Sequence, residues 1–342
     1  MKRRNFLKGL TLAAAGTLVP FHADATGKKT SAEAGQAANP NFTFNKEGKF
    51  KILQFTDTHF ITGDARAERA LANVREMVEI EKPDLVIHTG DIIYGKPAKE
   101  SLRDLLSVFS SRGIPFAVTL GNHDEEFGMT RREVYDYVRS LPHNVNTPPK
   151  NMHGMSNDLI TISSGGRVKW VLYLLDTGNQ STDIKLGTYD YLHFDQIAWY
   201  REQSQRLREA NGGVPVPALA FSHIPVYEHF QALDDRKKKL TGNWGEAPCP
   251  STINSGFFAQ TQEMADVRAL ISGHDHDNDY VMKWREKYLI YGRYSGGDTV
   301  YNNLKPNGCR LFELTDGSDS FRTWIRVSGG GKEQELLLPE DL

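Results

Sequence analysis

Phe50-Lys51-Ile52-Leu53-Gln54-Phe55-Thr56-Asp57-Thr58-His59 is a short apolar run that ends on an acid and an imidazole. The same arrangement recurs along the chain: residues 84–90 lead to Asp91, residues 114–121 to Asn122 and His123, residues 218–222 to His223, and residues 267–273 to His274 and His276. Short apolar runs bounded by glycine and polar residues, and alternating with helix-length segments, read as buried strands of an α/β sheet. Ligands of such sheets bind beyond the carboxyl ends of the strands. Five strands therefore deliver polar side chains to one place.

The delivered set is carboxylate, imidazole and amide oxygen, with no thiolate. Iron, manganese or zinc suits such donors. Two ions about 3.5–4 Å apart need a ligand with two oxygens to bridge them, and Asp91 is the choice here. Side chains two apart on an extended segment share a side, so Asp57 with His59, and His274 with His276, are each expected to grip one ion. A single Asp after Gly is usually a turn residue, and a single His a surface or satisfied interior group. The joint occurrence, in order and at strand ends, is what points to metal.

Asp57-x-His59, Gly90-Asp91, Gly121-Asn122-His123-Asp124, His223 and Gly273-His274-Asp275-His276 resemble the five-block signature of the calcineurin-like metallophosphoesterases. Gly90-Asp91-Ile92-Ile93-Tyr94, the run from Gly273 to Asp279, Tyr291-Gly292-Arg293 and Phe321-Arg322-Thr323-Trp324-Ile325 are similar to its purple-acid-phosphatase-like branch, which includes the eukaryotic cell-cycle-regulator-type phosphatases. The resemblance spans residues 48–327. It implies one ion on Asp57, His59, Asp91 and His276, and a second on Asp91, Asn122, His223 and His274, with His123 beside them. True purple acid phosphatases carry Gly where His59 stands and use the tyrosine corresponding to Tyr94 as an iron ligand. Here both are present and compete for one position.

The chemistry expected of such a site is attack on phosphorus by a metal-bound hydroxide. His123 would protonate the leaving group, and Asp124 would orient His123 or else cap the helix that follows. Asp91, His123 and Asp124 are thus the candidate catalytic residues. The expected function is that of an exported dinuclear phosphoesterase acting on phosphomonoesters, small or carried by a protein. A phosphodiesterase or nucleotide hydrolase with the same metals is the alternative, since the motifs fix the metals and not the leaving group. A catalytically silent metal-containing binding protein is the alternative of another class.

Lys2-Arg3-Arg4-Asn5-Phe6-Leu7-Lys8, the apolar run from Leu10 to Val19 and Ala23-Asp24-Ala25 read as a cleaved export signal over residues 1–25. The apolar run is too short to span a bilayer. Arg3-Arg4-x-Phe6-Leu7-Lys8 resembles a twin-arginine signal, which makes that translocase a partner and the periplasm or the exterior the destination; a general secretory signal is the other reading. Nothing suggests a membrane anchor. Residues 26–47 read as a linker, 48–330 as the catalytic domain and 331–342 as a tail.

Helices are expected at 64–81, 98–112, 130–140 and 193–210. Strand-like runs at 158–163, 168–176, 280–284, 287–291, 309–314 and 321–327 suit a second sheet. The expected fold is a four-layer α/β/β/α sandwich, two mixed sheets face to face between helices, as the resembled family has. The formal charge is −2, and removing residues 1–25 takes away a net +3 to leave −5. That balance argues against nucleic acid as the main partner. Arg236-Lys237-Lys238-Lys239 reads as a solvated run. Cys249 and Cys309 are the only cysteines, and a disulfide between them is left open.

The long stretch from Asp234 to Phe258 offers Asn243, Trp244 and Glu246 as a substrate rim, with packing the other reading of Trp244. Arg293 is set either against a phosphate oxygen or in a structural ion pair. Asn122 and His123 complete the candidate substrate contacts.

Overall fold

The computed structural model describes residues 39–342, apart from 184, 186, 188 and 236–238. The expected export signal, most of the expected linker and most of the basic run lie outside the described residues.

Two sheets form the centre. One has the strand order β14-β13-β12-β2-β3-β4, the other β1-β5-β6-β7-β9-β11-β10-β8. In the six-stranded sheet, β2 (Lys49–Phe55), β3 (Leu85–His88) and β4 (Phe116–Val118) are parallel, and β12 (Gly308–Thr315) adds antiparallel to β2. β13 (Phe321–Val327) and β14 (Lys332–Leu338) extend that edge. In the eight-stranded sheet, β6 (Arg167–Leu175), β7 (Ala218–Ser222), β9 (Val267–Ser272) and β11 (Lys287–Tyr291) are parallel. β1 (Asn41–Thr43), β5 (Asp158–Ser164), β8 (Lys239–Thr241) and β10 (Val281–Trp284) complete it.

Side-chain alternation builds the layers. Phe50 and Ile52 of β2 meet Leu172, Leu174, Leu219 and Phe221 of the other sheet in the central core. Leu53 and Phe55 point the opposite way, against helices α1 (Ala65–Glu81), α2 (Ala98–Ser110) and α3 (Arg131–Ser140). Val171 and Tyr173 of β6 likewise face outward, toward α4 (Phe194–Ala210) and α6 (Phe257–Met264). A strand apolar on both faces must be covered on both, and the result is the expected four-layer sandwich. The short α5 (Glu228–Leu233) lies in the loop after β7.

Three expectations change. The six runs expected to make up a second sheet do not form one of their own: β12 and β13 join β2, while β5, β6, β10 and β11 join β7 and β9. The linker is too long as drawn, because Asn41–Thr43 pairs with Thr161–Ser163 of β5. The tail is a strand, β14, whose Leu336 and Leu338 enter the central core.

Candidate metal centre

All five ligand-bearing strands end at the same edge: β2, β3 and β4 in one sheet, β7 and β9 in the other. The loops beyond them are drawn together by main-chain bonds. Asp57 N donates to Gly90 O at 3.0 Å, His59 N to Asp91 O at 3.0 Å, and Gly273 N to His223 O at 3.1 Å. Asp57, His59, Asp91 and His274 all have positive φ, of 53°, 47°, 51° and 78°. Left-handed backbone in non-glycine residues is uncommon and gathers where surrounding structure enforces it for function. It also revises the reason that Asp57 and His59 converge. The segment is kinked, and extended-strand alternation is not what brings them together.

Two donor groups result. Asp57, His59 and His276 form the first, and Asp57, Asp91 and His223 the second. His59 Nε2 stands 3.2 Å from His276 Nε2 and 3.7 Å from Asp91 Oδ2, and His276 Nε2 is 3.6 Å from Asp57 Oδ1. On the other side His223 Nε2 is 2.9 Å from Asn122 Oδ1 and 3.3 Å from the same Asp91 Oδ2. Asp91 Oδ2 thus stands near a histidine of each group, and Asp57 belongs to both. The ring of His274 lies 5.1 Å from that of His223, so the two histidines of the last block separate, one to each side. The expectation that they share an ion is corrected.

Tautomers decide whether these residues suit cations. His223 Nδ1 lies 2.8 Å from Thr89 O and His276 Nδ1 2.9 Å from Tyr301 O. A carbonyl only accepts, so each Nδ1 holds a proton and each Nε2 is the atom turned inward, where a cation would replace any proton it carries. This is how metal-binding histidines are held. Burial pushes the imidazoles of His59 and His274 down to about 3, which keeps them neutral as ligands must be. Burial also works against charge on His223, but the Asp91 carboxylate beside it outweighs this and lifts it to about 9. Asp91 is held well below the usual carboxylate range by His223 and His59, against the opposing effect of its own burial. Three imidazole nitrogens and two carboxylates gathered in buried surroundings fit a pair of divalent cations.

The sequence pattern described as calcineurin-like phosphoesterase matches residues 50–278, about two thirds of the chain. The chain belongs to the calcineurin-like phosphoesterase family. It is 31% identical over 283 residues to a protein of Arabidopsis thaliana named probable inactive purple acid phosphatase 29, covering 73% of this chain and 72% of that one. It is 28% identical to the phosphatase DCR2 of Saccharomyces cerevisiae, covering 84% of this chain and 55% of the yeast protein. A dimetal phosphatase from Danio rerio has the same fold, with a TM-score of 0.59 at 13% identity, over 84% of this chain and 98% of that one.

Within this phosphoesterase the site is braced by residues that the motif alone does not place. Asp124 does not reach His123. Its buried carboxylate accepts from Ile92 N and Gly121 N at 2.7 Å and from Asp91 N at 3.1 Å, tying the second and third blocks together. Burial and the Asp91 charge push it up to about 6. It caps no helix either: Thr130 and Glu133 form the capping box of α3. The partner of His123 is Glu126, whose Oε2 lies 2.8 Å from Nδ1. Arg131, on α3, donates to Leu120 O and Gly121 O and pairs with buried Asp176. Gly121 and Gly273 are required by close approach: a Cβ at Gly121 would lie 2.1 Å from Asp91 Oδ1, and one at Gly273 1.9 Å from Thr56 Oγ1.

Of the two residues that compete for one position, the one that stands in the first donor group is His59. Tyr94 packs edge-on against it and against His123, at 5.0 and 5.2 Å between ring centroids. Arg293 is a structural residue, buried on Asp279 and Pro306 O, and so makes no phosphate contact. Asn243 also binds Asp279. Trp244 is half-exposed, and its backbone pairs with Asn278. Glu246 accepts from Asp277 N at 2.8 Å and Tyr301 Oη at 3.0 Å, beside the site. Cys249 and Cys309 are both free, the first exposed near the site and the second buried in the helix-side core.

Proposed function

We propose that this chain is an exported phosphoesterase that hydrolyses phosphomonoesters at a pair of divalent cations. The observation that carries the reading is the convergence of three imidazole Nε2 atoms on two carboxylates, His59 and His223 at Asp91 and His276 at Asp57, with the outward nitrogens of His223 and His276 committed to carbonyls. His59, Asp57, Asp91 and His276 would hold one cation, and Asp91, Asn122, His223 and His274 the other. Such a pair, when bound, supplies Lewis acidity toward the phosphoryl group and activates water at neutral pH.

The chain's own residues do the rest. Asp91 is fixed by His123 N on its Oδ1, at 2.9 Å, and by Asp124 on its amide, so it holds one orientation. His123 is about one third exposed at the mouth. Glu126 engages its Nδ1, leaving Nε2 to carry the proton that a departing alkoxide needs. The preference for monoesters is supported by likeness to proteins named as phosphatases. Three Arabidopsis relatives have names that include "inactive", but every donor of the two groups is present in this chain.

Metal analysis of the isolated protein, together with its turnover of an aryl phosphomonoester and the matching diester, tests the reading. Two ions and faster monoester cleavage are expected. Bound metal with no ester cleaved makes it a silent binding protein, and faster diester cleavage moves it to the phosphodiesterases. For export, replacing Arg3-Arg4 by two lysines should retain the protein in the cytoplasm; unchanged export means the general secretory route.

A further inference from the structure

Tyr301 was not among the residues that the motif places, yet it is built into the site. Its carbonyl takes the Nδ1 proton of His276, and its hydroxyl donates to Glu246 Oε2 at 3.0 Å. Its ring lies on the His276 imidazole, with 4.5 Å between centroids and 28° between planes. The segment that carries it is anchored on both sides: Thr299 Oγ1 donates to His59 O at 2.8 Å, and Asn303 donates through its amide and side chain to Asp277. Glu246 is held in turn by Asp277 N. With one face on His276, Tyr301 is still 55% exposed. An aromatic ring held rigidly with one face open to water gains no burial from that face. It is instead ready to stack, because the rotamer entropy that stacking would cost is already spent.

We propose that Tyr301 is a specificity-determining residue whose open face stacks on a planar ring in the substrate's alcohol, so that the site selects phosphomonoesters of aromatic or nucleoside alcohols. Trp244, also exposed, lies two residues from the Glu246 that holds the Tyr301 hydroxyl, and adds a second aromatic surface to the same loop pair. The class deepens the phosphomonoesterase reading and rests on it. A nucleobase and a simple aryl ring offer the same flat π-face.

The test pairs ligands that differ in the ring. Turnover by the zinc- or manganese-loaded protein is compared for adenosine 5′-monophosphate against ribose 5-phosphate, and for benzyl phosphate against ethyl phosphate; each releases a primary alcohol. Binding is measured by calorimetry with the matching phosphonates, in which the carbon–phosphorus bond is not cleaved. The ring-bearing member should bind about tenfold more tightly, the scale of one base–aromatic stack, and the preference should appear in KM. Tyr301→Ala should bring each pair to within about twofold, while Tyr301→Phe, which keeps the ring and loses only the Glu246 bond, should retain the preference. The His276 carbonyl contact survives both changes because it is main chain. A preference in the adenosine pair alone assigns the platform to nucleobases, and one in the benzyl pair alone to aryl groups. Equal binding within both pairs, or a preference that persists in Tyr301→Ala, overturns the proposal. Ring-selective phosphonate binding with no ester cleaved leaves the platform standing and removes the phosphomonoesterase reading.

Discussion

Replacing Gly121 by Ala tests how closely the second and third blocks must approach. The added Cβ would sit 2.1 Å from Asp91 Oδ1 and 2.2 Å from Asp91 N, where ordinary contact begins near 3.4 Å. The two loops would have to part by about 1 Å. Asp91 has no alternative orientation to offer, because its Oδ1 takes His123 N and its amide is held by Asp124. Overpacking of this kind costs folding about 1–3 kcal/mol. A displacement of about 1 Å at a reacting centre lowers turnover about 100-fold. The assay is kcat/KM on an aryl phosphomonoester, with metal content by plasma emission and stability by urea unfolding on the same preparation. We expect a stable protein that has lost most turnover and part of its metal. Full activity with both ions retained would refute the argument that Asp91 is positioned by contact with Gly121.

Other changes separate roles. His123→Ala should keep both metals and slow alkyl esters about 100-fold or more, with a smaller loss for aryl esters whose leaving groups need no proton; loss of metal would make His123 a ligand. Arg293→Met leaves Asp279 buried without its partner and should destabilise the fold by about 3–5 kcal/mol with KM unchanged, and a raised KM with normal stability would restore a phosphate contact. Asp176 is buried, which raises its pKa, but pairing with Arg131 outweighs this and holds it at about 2, below the ordinary 3.8. A depressed folded pKa gives stabilisation that is complete above the unfolded value and lost as pH falls through the folded one, here about 2 kcal/mol. Urea unfolding of the protein and of Asp176→Asn should therefore differ by a constant amount above about pH 5 and converge toward pH 2; a gap unchanged to pH 2 would contradict the assignment.

The parts of the fold legible in the sequence are those set by local pattern. Leu85 to Ile87 and Ala218 to Phe221 are apolar on both faces, which announces a buried strand. The assignment of strands to sheets was not legible, because β12 reaches β2 across more than 250 residues and no local signal specifies that pairing. β1 and β14 escaped for a related reason: each is short or partly polar and becomes a strand only by adding to an edge. The site divides in the same way. Its donor residues are legible because each sits directly after its strand. Glu126, Arg131, Asp176 and Tyr301 act across distances set by packing, and one arginine or tyrosine in a loop looks like any other. The left-handed turns at Asp57, His59 and Asp91 are also invisible in residue type, since nothing but the tertiary frame requires them.

Crystallography of the metal-loaded protein with anomalous scattering tests the central claim most directly. Two peaks about 3.5–4 Å apart are expected, one among Asp57, His59 and His276, the other among Asn122, His223 and His274, with Asp91 between them. A single peak, or a pair in which Asp91 touches only one ion, would contradict the two-ion account.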